Sequence, residues 1–252
     1  MDQIIQVDDL CCGYGARTIL RDVSFSVRRG EVMVILGGSG CGKSTLLKHL
    51  IGLYPPRSGS ILIAGNELTS AHGKAREAIL RHFGVMFQAG ALFGSMSVLD
   101  NVKLPLESFS QFDAAAIDTL ARLKLRLVGL EEFADYYPAE ISGGMQKRAA
   151  IARAMALDPQ ILFLDEPSAG LDPITSAELD ELIRRIAETQ AVTFVVVTHE
   201  LASIYAIADR AIMLDKDAQG IIAIAPPGEL AQSSDARISG FFNRGRQHAP
   251  AL

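Results

Sequence analysis

The sequence contains no hydrophobic run long enough to cross a membrane as a helix. A spanning helix needs roughly 18 apolar residues in succession, whereas the longest run, residues 192–197, is interrupted by Thr193 and soon followed by His199. Residues 1–3 show neither a basic start nor an apolar stretch of signal-peptide length. We therefore expect a cytoplasmic protein.

Cysteine and positive charge are scarce as well. Cys11 and Cys12 are adjacent and Cys41 lies in a glycine-rich loop, so the spacing of metal ligands is missing and the thiols suit a reducing compartment. The formal net charge of −5 gives no general attraction to nucleic acid or anionic lipid. We expect no nucleic-acid partner.

Short, fully apolar segments recur along the chain, which has 252 residues, 49% of them hydrophobic. This length suits one large domain, or a core domain with an inserted subdomain. Apolar runs without polar alternation are typical of strands covered on both faces, as in a parallel sheet. The runs are residues 32–36, 161–164, 194–197, 211–214 and 221–224.

Helical patterns separate these runs and predict an α/β fold. One predicted helix ends before Gly52, and a second begins at Asp172-Pro173 with proline in its first turn. Residues 95–157 lack a strand pattern and favour a helical insertion, whereas residues 4–7 and 23–27 favour an antiparallel β layer. We predict two core parts (residues 1–94 and 158–232), a helical subdomain (95–157) and a C-terminal tail (233–252).

A glycine-rich loop matches the phosphate-binding pattern G-x-x-x-x-G-K-[ST], between a predicted strand and a predicted helix. Glycines let backbone N–H groups approach phosphates, and the helix N-terminus adds its positive end. Lys43 would bridge the β- and γ-phosphates and Ser44 would bind Mg²⁺. The loop by itself does not show whether the protein is an ATPase, a GTPase or a small-molecule kinase. The alternative to a phosphate site is a glycine-rich turn that matches the pattern by chance. Its residues are Gly37, Gly38, Ser39, Gly40, Cys41, Gly42, Lys43, Ser44 and Thr45.

Two acids follow the apolar run at residues 161–164. In a protein with a phosphate loop, Asp165 would lie beside Mg²⁺, and Glu166 would accept a proton from an attacking water. The alternative is a pair of acids that ends a strand at the surface.

Ser142, Gly143 and Gly144 precede a helix predicted over residues 147–157. Ser142 is a favourable N-cap residue, so one interpretation is a capped helix and nothing more. The other is a second anion-binding helix start. A second phosphate site in a chain with one phosphate loop predicts that it completes the site of another copy.

Residues 142–146 resemble the signature sequence of the ABC (ATP-binding cassette) ATPases, which combine it with a phosphate loop and an Asp-Glu strand end. The signature departs from the usual L-S-G-G-Q at Ile141 and Met145, which puts one polar contact in doubt. The resemblance implies a P-loop NTPase (RecA-like) core, a homodimer that encloses two ATP molecules head to tail, and Mg²⁺.

The same resemblance implies roles for further residues. Tyr14 is placed like the aromatic residue that stacks on adenine, and Gln88 like the glutamine that senses Mg²⁺ and contacts the membrane partner. Residues 168–172 resemble the D-loop. His199 resembles the histidine at the γ-phosphate, and with Lys43 and Mg²⁺ it would offset charge on the transferring phosphoryl group.

The stretch at residues 88–93, with Met145 and Arg148, is similar to the Mla-type phospholipid-transport ATPases (the MlaF group). This implies an MlaE-type permease, an MCE-domain protein, a STAS-domain subunit, and a peripheral position at the cytoplasmic face of the bacterial inner membrane. Leu92 and Phe93 would contact the permease; the alternative is that they belong to the hydrophobic core.

Other functions stay open at this point. Another ABC importer ATPase, for amino acids, metals or another small solute, would share every catalytic motif. An ABC protein acting on DNA or ribosomes would show a second cassette, a coiled coil or basic patches, and an inactive binding module would lack the acid pair.

The tail carries Phe241 and Phe242 among Arg237, Arg244 and Arg246. It is either a frayed, solvated end or a docking segment for a neighbouring copy or accessory subunit. Docking is favoured because two adjacent aromatic side chains are unfavourable in water.

Overall fold

The computed structural model describes residues 2–243, which form ten strands and nine α-helices with two short 3-10 turns. The strands are β1 (Gln3–Tyr14), β2 (Arg17–Arg28), β3 (Val32–Gly37), β4 (Ser58–Ile63), β5 (Asn66–Glu67), β6 (Phe83–Met86), β7 (Ile161–Asp165), β8 (Thr193–Val197), β9 (Arg210–Asp215) and β10 (Gly220–Ala225). The helices are α1 (Lys43–Leu50), α2 (Gly73–Leu80), α3 (Val98–Phe109), α4 (Ala114–Leu127), α5 (Gly143–Ala154), α6 (Pro173–Gln190), α7 (Leu201–Ile207), α8 (Pro227–Ala231) and α9 (Ala236–Asn243).

A six-stranded sheet in the order β10-β9-β3-β8-β7-β6 forms the centre of the domain. The pairs from β9 to β6 are parallel. Alternate residues of β3 enter two different hydrophobic clusters, Val34 on one side and Ile35 on the other. Both faces of the central strands are therefore covered, as their unbroken apolar runs predicted.

The β layer and the helical insertion predicted from the sequence are both present. Strands β2, β1, β4 and β5 form an antiparallel sheet, which packs with α1 on one face of the central sheet. Helices α3, α4 and α5 lie between β6 and β7 in sequence and contact one another. Ser97 and Asp113 cap α3 and α4 by accepting backbone N–H bonds.

Strand β10 corrects the interpretation of residues 221–224 as a parallel strand covered on both faces. It pairs antiparallel with β9 at the sheet edge and is only partly buried beyond Gly220. The turn from β9 to β10 spans residues 216–219, and so short a connection can join only antiparallel strands. Strands β4 and β6 and helix α2 were not predicted, because none of them carries a long apolar or periodic pattern.

The tail is ordered against its own chain as far as Asn243, so a frayed end is the wrong interpretation for this part. Helix α9 buries Ile238 and Phe242, and the Phe242 ring packs against Tyr205 of α7 with centroids 5.9 Å apart. Arg244 and Arg246 lie outside the described residues. Within residues 2–243, no helix combines the length and the apolar character that crossing a membrane requires.

Candidate active site

Three neighbouring parallel strands, β3, β8 and β7, carry the predicted site residues at one edge of the sheet. The phosphate loop follows β3, Asp165 ends β7, and His199 follows β8. Because parallel strands end at the same edge, these segments meet where α/β sheets bind ligands. An open cavity of about 1080 Å³ lies there.

The cavity brings together most of the residues predicted for nucleotide binding and hydrolysis. Its lining includes Tyr14, Gln88, Glu166, His199 and the phosphate-loop residues Gly37, Gly38, Ser39, Gly40, Gly42, Lys43, Ser44 and Thr45. It also includes four residues that the sequence did not connect with a nucleotide site: Arg17, Ile19, Leu201 and Phe241. Arg17 and Ile19 come from the hairpin after Tyr14, and Phe241 comes from α9, which no local pattern connects with a nucleotide site.

The phosphate loop needs glycine at its first position. Gly37 has φ 147°, and a Cβ atom there would collide with the Leu214 carbonyl oxygen and the Cys41 sulfur. The Cys41 side chain is 2% exposed and points into the core, and burial raises the pKa of its thiol. Cys41 therefore contributes only its backbone to the loop, and a buried neutral thiol is a poor target for oxidation.

The Lys43 side chain folds over the loop. Its Nζ donates hydrogen bonds to the carbonyl oxygens of Gly37 at 3.0 Å and Gly38 at 3.3 Å. Helix α1 begins at Lys43 and directs its first N–H groups toward the same cavity. A positive charge and a helix N-terminus thus converge on one place, which suits a phosphate chain.

Ser44 and Asp165 provide a pair of oxygen donors. The Ser44 hydroxyl donates to Asp165 Oδ1 at 3.3 Å, and Asp165 is 8% exposed. Burial is the main cause that raises the pKa of Asp165, with the Ser44 hydrogen bond opposing it. A hydroxyl beside a desolvated carboxylate matches the oxygen ligands that Mg²⁺ prefers.

Glu166 is held in a strained backbone conformation. Its φ is 49°, in the left-handed region, and its N–H donates to the Val197 carbonyl at 2.8 Å. His199 Nδ1 lies 2.9 Å from Oε1, while Oε2 is buried with no hydrogen-bond partner among the described residues. Such strain is concentrated at functional sites, and Glu166 itself lines the cavity.

The signature segment starts a helix but lies away from the cavity of its own chain. Helix α5 begins at Gly143 rather than at residue 147 as predicted, because Ser142 Oγ accepts the Met145 N–H at 3.3 Å and closes the first turn over the glycines. Ser142 and Gly143 are exposed, and neither they nor Gly144 line the cavity. A Cβ atom on Gly144 would collide with Thr175 of α6, so glycine is required there.

The loop at residues 88–91 is held by two cations of α5. Lys147 donates from its ammonium to the Gln88 carbonyl oxygen. Arg153 donates to the carbonyl oxygens of Gly90 at 2.9 Å and Ala91 at 2.7 Å. Burial lowers the pKa of both cations, which face these carbonyls. Neither contact could be predicted from the sequence, because each joins segments more than fifty residues apart.

Leu92 and Phe93 have different surroundings, so neither predicted alternative describes both. Leu92 packs against the core, whereas Phe93 is 52% exposed. An apolar groove of about 270 Å³ lies between α2, β6, α3 and the C-terminal end of α5. Its lining includes Leu80, Phe83, Val85, Pro105, Phe109 and Arg153.

A phosphate loop between a parallel strand and a helix, with an acid pair at the end of a nearby strand, defines a P-loop nucleoside triphosphatase. The family model described as "ABC transporter" matches residues 20–169. The chain therefore belongs to the ABC transporter family, as one of its ATP-binding, ATP-hydrolysing subunits.

Curated relatives agree with this membership over nearly the whole chain. The probable ribonucleotide transport ATP-binding protein mkl of Mycobacterium leprae is 41% identical over 99% of this chain and 71% of that protein. The intermembrane phospholipid transport system ATP-binding protein MlaF of Haemophilus influenzae is 36% identical over 98% of this chain and 92% of that protein.

Solved structures of ABC cassettes share the fold. The ATP-binding cassette MJ0796, solved as a dimer in a post-hydrolysis state with ADP and Pi, gives a TM-score of 0.78 at 30% identity and covers 88% of this chain and 98% of its own. The component cbiO1 of a Clostridium perfringens ABC transporter gives 0.84 at 28% identity, over 97% of this chain and 96% of its own. These matches and the family model confirm the predicted fold class and the ATPase assignment.

Proposed function

We propose that this chain hydrolyses ATP to drive phospholipid transport between the inner and outer membranes of a Gram-negative bacterium. The observation that carries the substrate class is the MlaF relative, which aligns over nearly the full length of both chains. The mkl relative has higher identity, but this chain spans only 71% of it, and its name refers to ribonucleotides. A ribonucleotide-class solute is therefore the second candidate.

Lys43 and the backbone of the phosphate loop bind the triphosphate of ATP, and Tyr14 stacks on the adenine. Ser44 and Asp165 hold Mg²⁺ as the oxygen pair described above, with Gln88 at the edge of the same cavity. When bound, Mg²⁺ neutralises the phosphate oxygens and helps to orient them for transfer.

Glu166 is the general base of hydrolysis. Its carboxylate accepts a proton from the attacking water, and His199 holds Oε1 of that carboxylate. His199 and Lys43 offset the negative charge of the transferring phosphoryl group. A general base contributes about 10²–10⁴-fold, which corresponds to about 3–5 kcal/mol of barrier.

Two copies of the chain bind two ATP molecules head to tail. Ser142 and Gly143 are exposed at the start of a helix, and neither they nor Gly144 line the cavity of their own chain. The N–H groups at this helix start are therefore available to the nucleotide of a partner copy. The MJ0796 cassette forms a dimer in its solved structure.

A membrane permease binds the loop that ends at Phe93 together with the apolar groove. Phe93 and Phe109 are both more than half exposed. Phe109 and Arg153 line the groove, and Arg153 also binds the Ala91 carbonyl oxygen of the loop. Exposed aromatic residues next to a concave apolar surface are typical of protein interfaces. The permease is MlaE-type, the complex includes an MCE-domain protein and a STAS-domain subunit, and the ATPase lies peripherally on the cytoplasmic face of the inner membrane.

Purification of the tagged chain from its own membranes in mild detergent tests this function. Mass spectrometry of the wild-type complex is expected to find a permease, an MCE-domain protein and phospholipid. A different permease without lipid enrichment would contradict the lipid assignment and favour the second candidate.

The same purification tests the docking groove with a matched pair of variants. Phe93→Ser is expected to lose the permease, because it removes an exposed aromatic side chain next to the loop that Arg153 holds at the groove. Phe112→Ser removes a side chain of similar exposure, 56%, between α3 and α4, and is expected to keep the permease. Equal recovery of permease with both variants would show that the groove is not the docking surface.

A further inference from the structure

Three aromatic rings form a cluster behind the nucleotide cavity. The rings of Tyr14 and Tyr54 meet edge to face, with centroids 5.0 Å apart and planes at 88°. The His49 ring lies 6.2 Å from Tyr14 and 6.1 Å from Tyr54. Tyr14 ends β1, His49 is in α1, and Tyr54 follows α1, so the cluster joins the hairpin to the phosphate-loop helix.

Tyr14 needs such support because of its position in the chain. It pairs with Arg17 across a two-residue turn at the tip of the β1–β2 hairpin, and its side chain is 37% exposed. A ring at a hairpin tip has few local contacts that fix its rotamer. The edge-to-face contact with Tyr54 is a favourable aromatic geometry that restricts the Tyr14 ring.

His49 connects the two elements through its two ring nitrogens. Nδ1 lies 2.8 Å from the Thr45 carbonyl oxygen, which can only accept, so Nδ1 carries the hydrogen. Nε2 then has a free lone pair and accepts the Gly13 N–H in a long bond of 3.4 Å. His49 is 1% exposed, and this bridge links the phosphate-loop helix with the residue before Tyr14.

Neither His49 nor Tyr54 lines the nucleotide cavity, whereas Tyr14 does. They line a separate groove on the other side of the cluster. The two residues can therefore affect a bound nucleotide only through Tyr14 and the helix.

We propose that Tyr54 and His49 are positioning residues for ATP binding, which hold the Tyr14 ring in place as the platform for the adenine base. The proposal rests on the proposed role of Tyr14. Stacking of a base on an aromatic side chain contributes about 5- to 100-fold in affinity. Loss of an edge-to-face support is expected to remove about 3- to 10-fold of that.

The test compares Mg-ATP with Mg-tripolyphosphate, which has the phosphate chain but no base. Isothermal titration calorimetry of the purified chain is expected to give about 3- to 10-fold weaker ATP binding for Tyr54→Leu, with tripolyphosphate binding unchanged. Tyr54→Phe keeps the ring and is expected to bind ATP as the wild type does. Tyr136→Leu is the matched control, since Tyr136 is 45% exposed and Tyr54 43%, and it is expected to change neither ligand.

Variants of Tyr14 and His49 separate this proposal from the one on which it rests. If Tyr14→Leu binds ATP normally, the adenine contact itself is wrong. If Tyr14→Leu weakens ATP binding but Tyr54→Leu does not, only the positioning role is wrong. The double variant Tyr14→Leu/Tyr54→Leu is expected to bind ATP no worse than Tyr14→Leu alone.

His49→Gln keeps a donor and an acceptor and is expected to retain ATP affinity, whereas His49→Leu is expected to lose it. Equal loss of tripolyphosphate binding in Tyr54→Leu would overturn the proposal, because it would indicate damage to the phosphate loop.

Discussion

Glu166 combines three features in one residue: a left-handed backbone, a hydrogen bond to His199, and a buried carboxylate oxygen without a partner. Glu166 lines the cavity, and His199 holds its Oε1. If this carboxylate accepts the proton of the attacking water, its loss affects the chemical step and not the binding of ATP.

Glu166→Gln is accordingly expected to lower the rate of ATP hydrolysis by about 10²–10⁴-fold while leaving ATP affinity unchanged. Phosphate release and equilibrium nucleotide binding measure the two effects separately. Glu181→Gln, at an exposed position on α6, removes a carboxylate of the same kind and is expected to hydrolyse ATP normally. Hydrolysis at the wild-type rate by Glu166→Gln would mean that another group is the base.

Asp180 is a buried acid that hydrolysis does not use. It lies in α6 at 4% exposure, and its Oδ1 has no partner within residues 2–243. Burial raises its pKa to about 6, with the negative charge of Glu200 adding to the effect and the Ser203 hydroxyl opposing it. Because the folded protein holds this proton more tightly than the unfolded chain, the native state loses stability as the pH rises from about 4 to about 6.

Asp180→Asn is therefore expected to be more stable than the wild type at pH 7.5, by on the order of 3 kcal/mol. The advantage is expected to shrink below pH 6 and to vanish near pH 4. Urea unfolding of both proteins across this range measures the difference. A difference that does not change with pH would show that Asp180 is not protonated in the folded state at low pH.

At the level of single residues, the sequence predicts well what is local. Lys43 and Ser44 belong to one contiguous motif whose conformation is largely set by its glycines. The resemblance to the ABC family supplied Tyr14 and His199, which no spacing rule would have found. Phe241 and Lys147 were missed because their contacts depend on how distant segments pack.

Among the strands of the central sheet, those in the middle were easier to predict from the sequence than β6 at the edge. Strands β3, β7 and β8 are covered on both faces, so their sequences are unbroken apolar runs and were predicted. Strand β6 lies at the edge of the sheet, has four residues and is only partly buried before Met86. An edge strand receives its partner on one side only, and its sequence is correspondingly less constrained.

The start of α6 was predicted correctly, because a capping side chain and a proline mark it together. Asp172 accepts the N–H groups of Ile174 and Thr175, and α6 begins with Pro173 as predicted. The start of α5 was placed too late, because two glycines have low helix propensity and gave no helical signal. The Ser142 cap and packing against α6 override that propensity.

For the whole molecule, the proposed head-to-tail dimer would build each nucleotide site from two chains, with the exposed signature segment of one chain at the phosphate loop of the other. Ser142→Arg is expected to abolish hydrolysis with ATP binding intact, because ATP binds to the phosphate loop of one chain before the second chain completes the site. Asp113→Arg is the matched control: Asp113 is also an exposed helix cap, with its Oδ1 2.8 Å from the Ala116 N–H, and this variant is expected to remain active.

Mixing two inactive variants distinguishes a nucleotide site shared between two chains from local damage within one chain. Lys43→Ala breaks the phosphate loop, and Ser142→Arg breaks the signature of the opposite site. A mixed dimer of the two variants has one site with both defects and one site with neither. Hydrolysis is expected to return on mixing, and a mixture as inactive as its components would argue against head-to-tail sites.

The hold of α5 on the loop at residues 88–91 has a mechanical consequence. Helix α5 has twelve residues and is about 18 Å long, with Ser142 at its start and the guanidinium of Arg153 near its far end. Since Arg153 and Lys147 bind backbone oxygens of the loop, a displacement of the loop would also displace the helix. If a permease pushes on the loop as proposed, the helix would carry that displacement to Ser142 and to the nucleotide bound by the neighbouring copy. Each copy would then couple the conformation of its own permease contact to hydrolysis at the site of its partner.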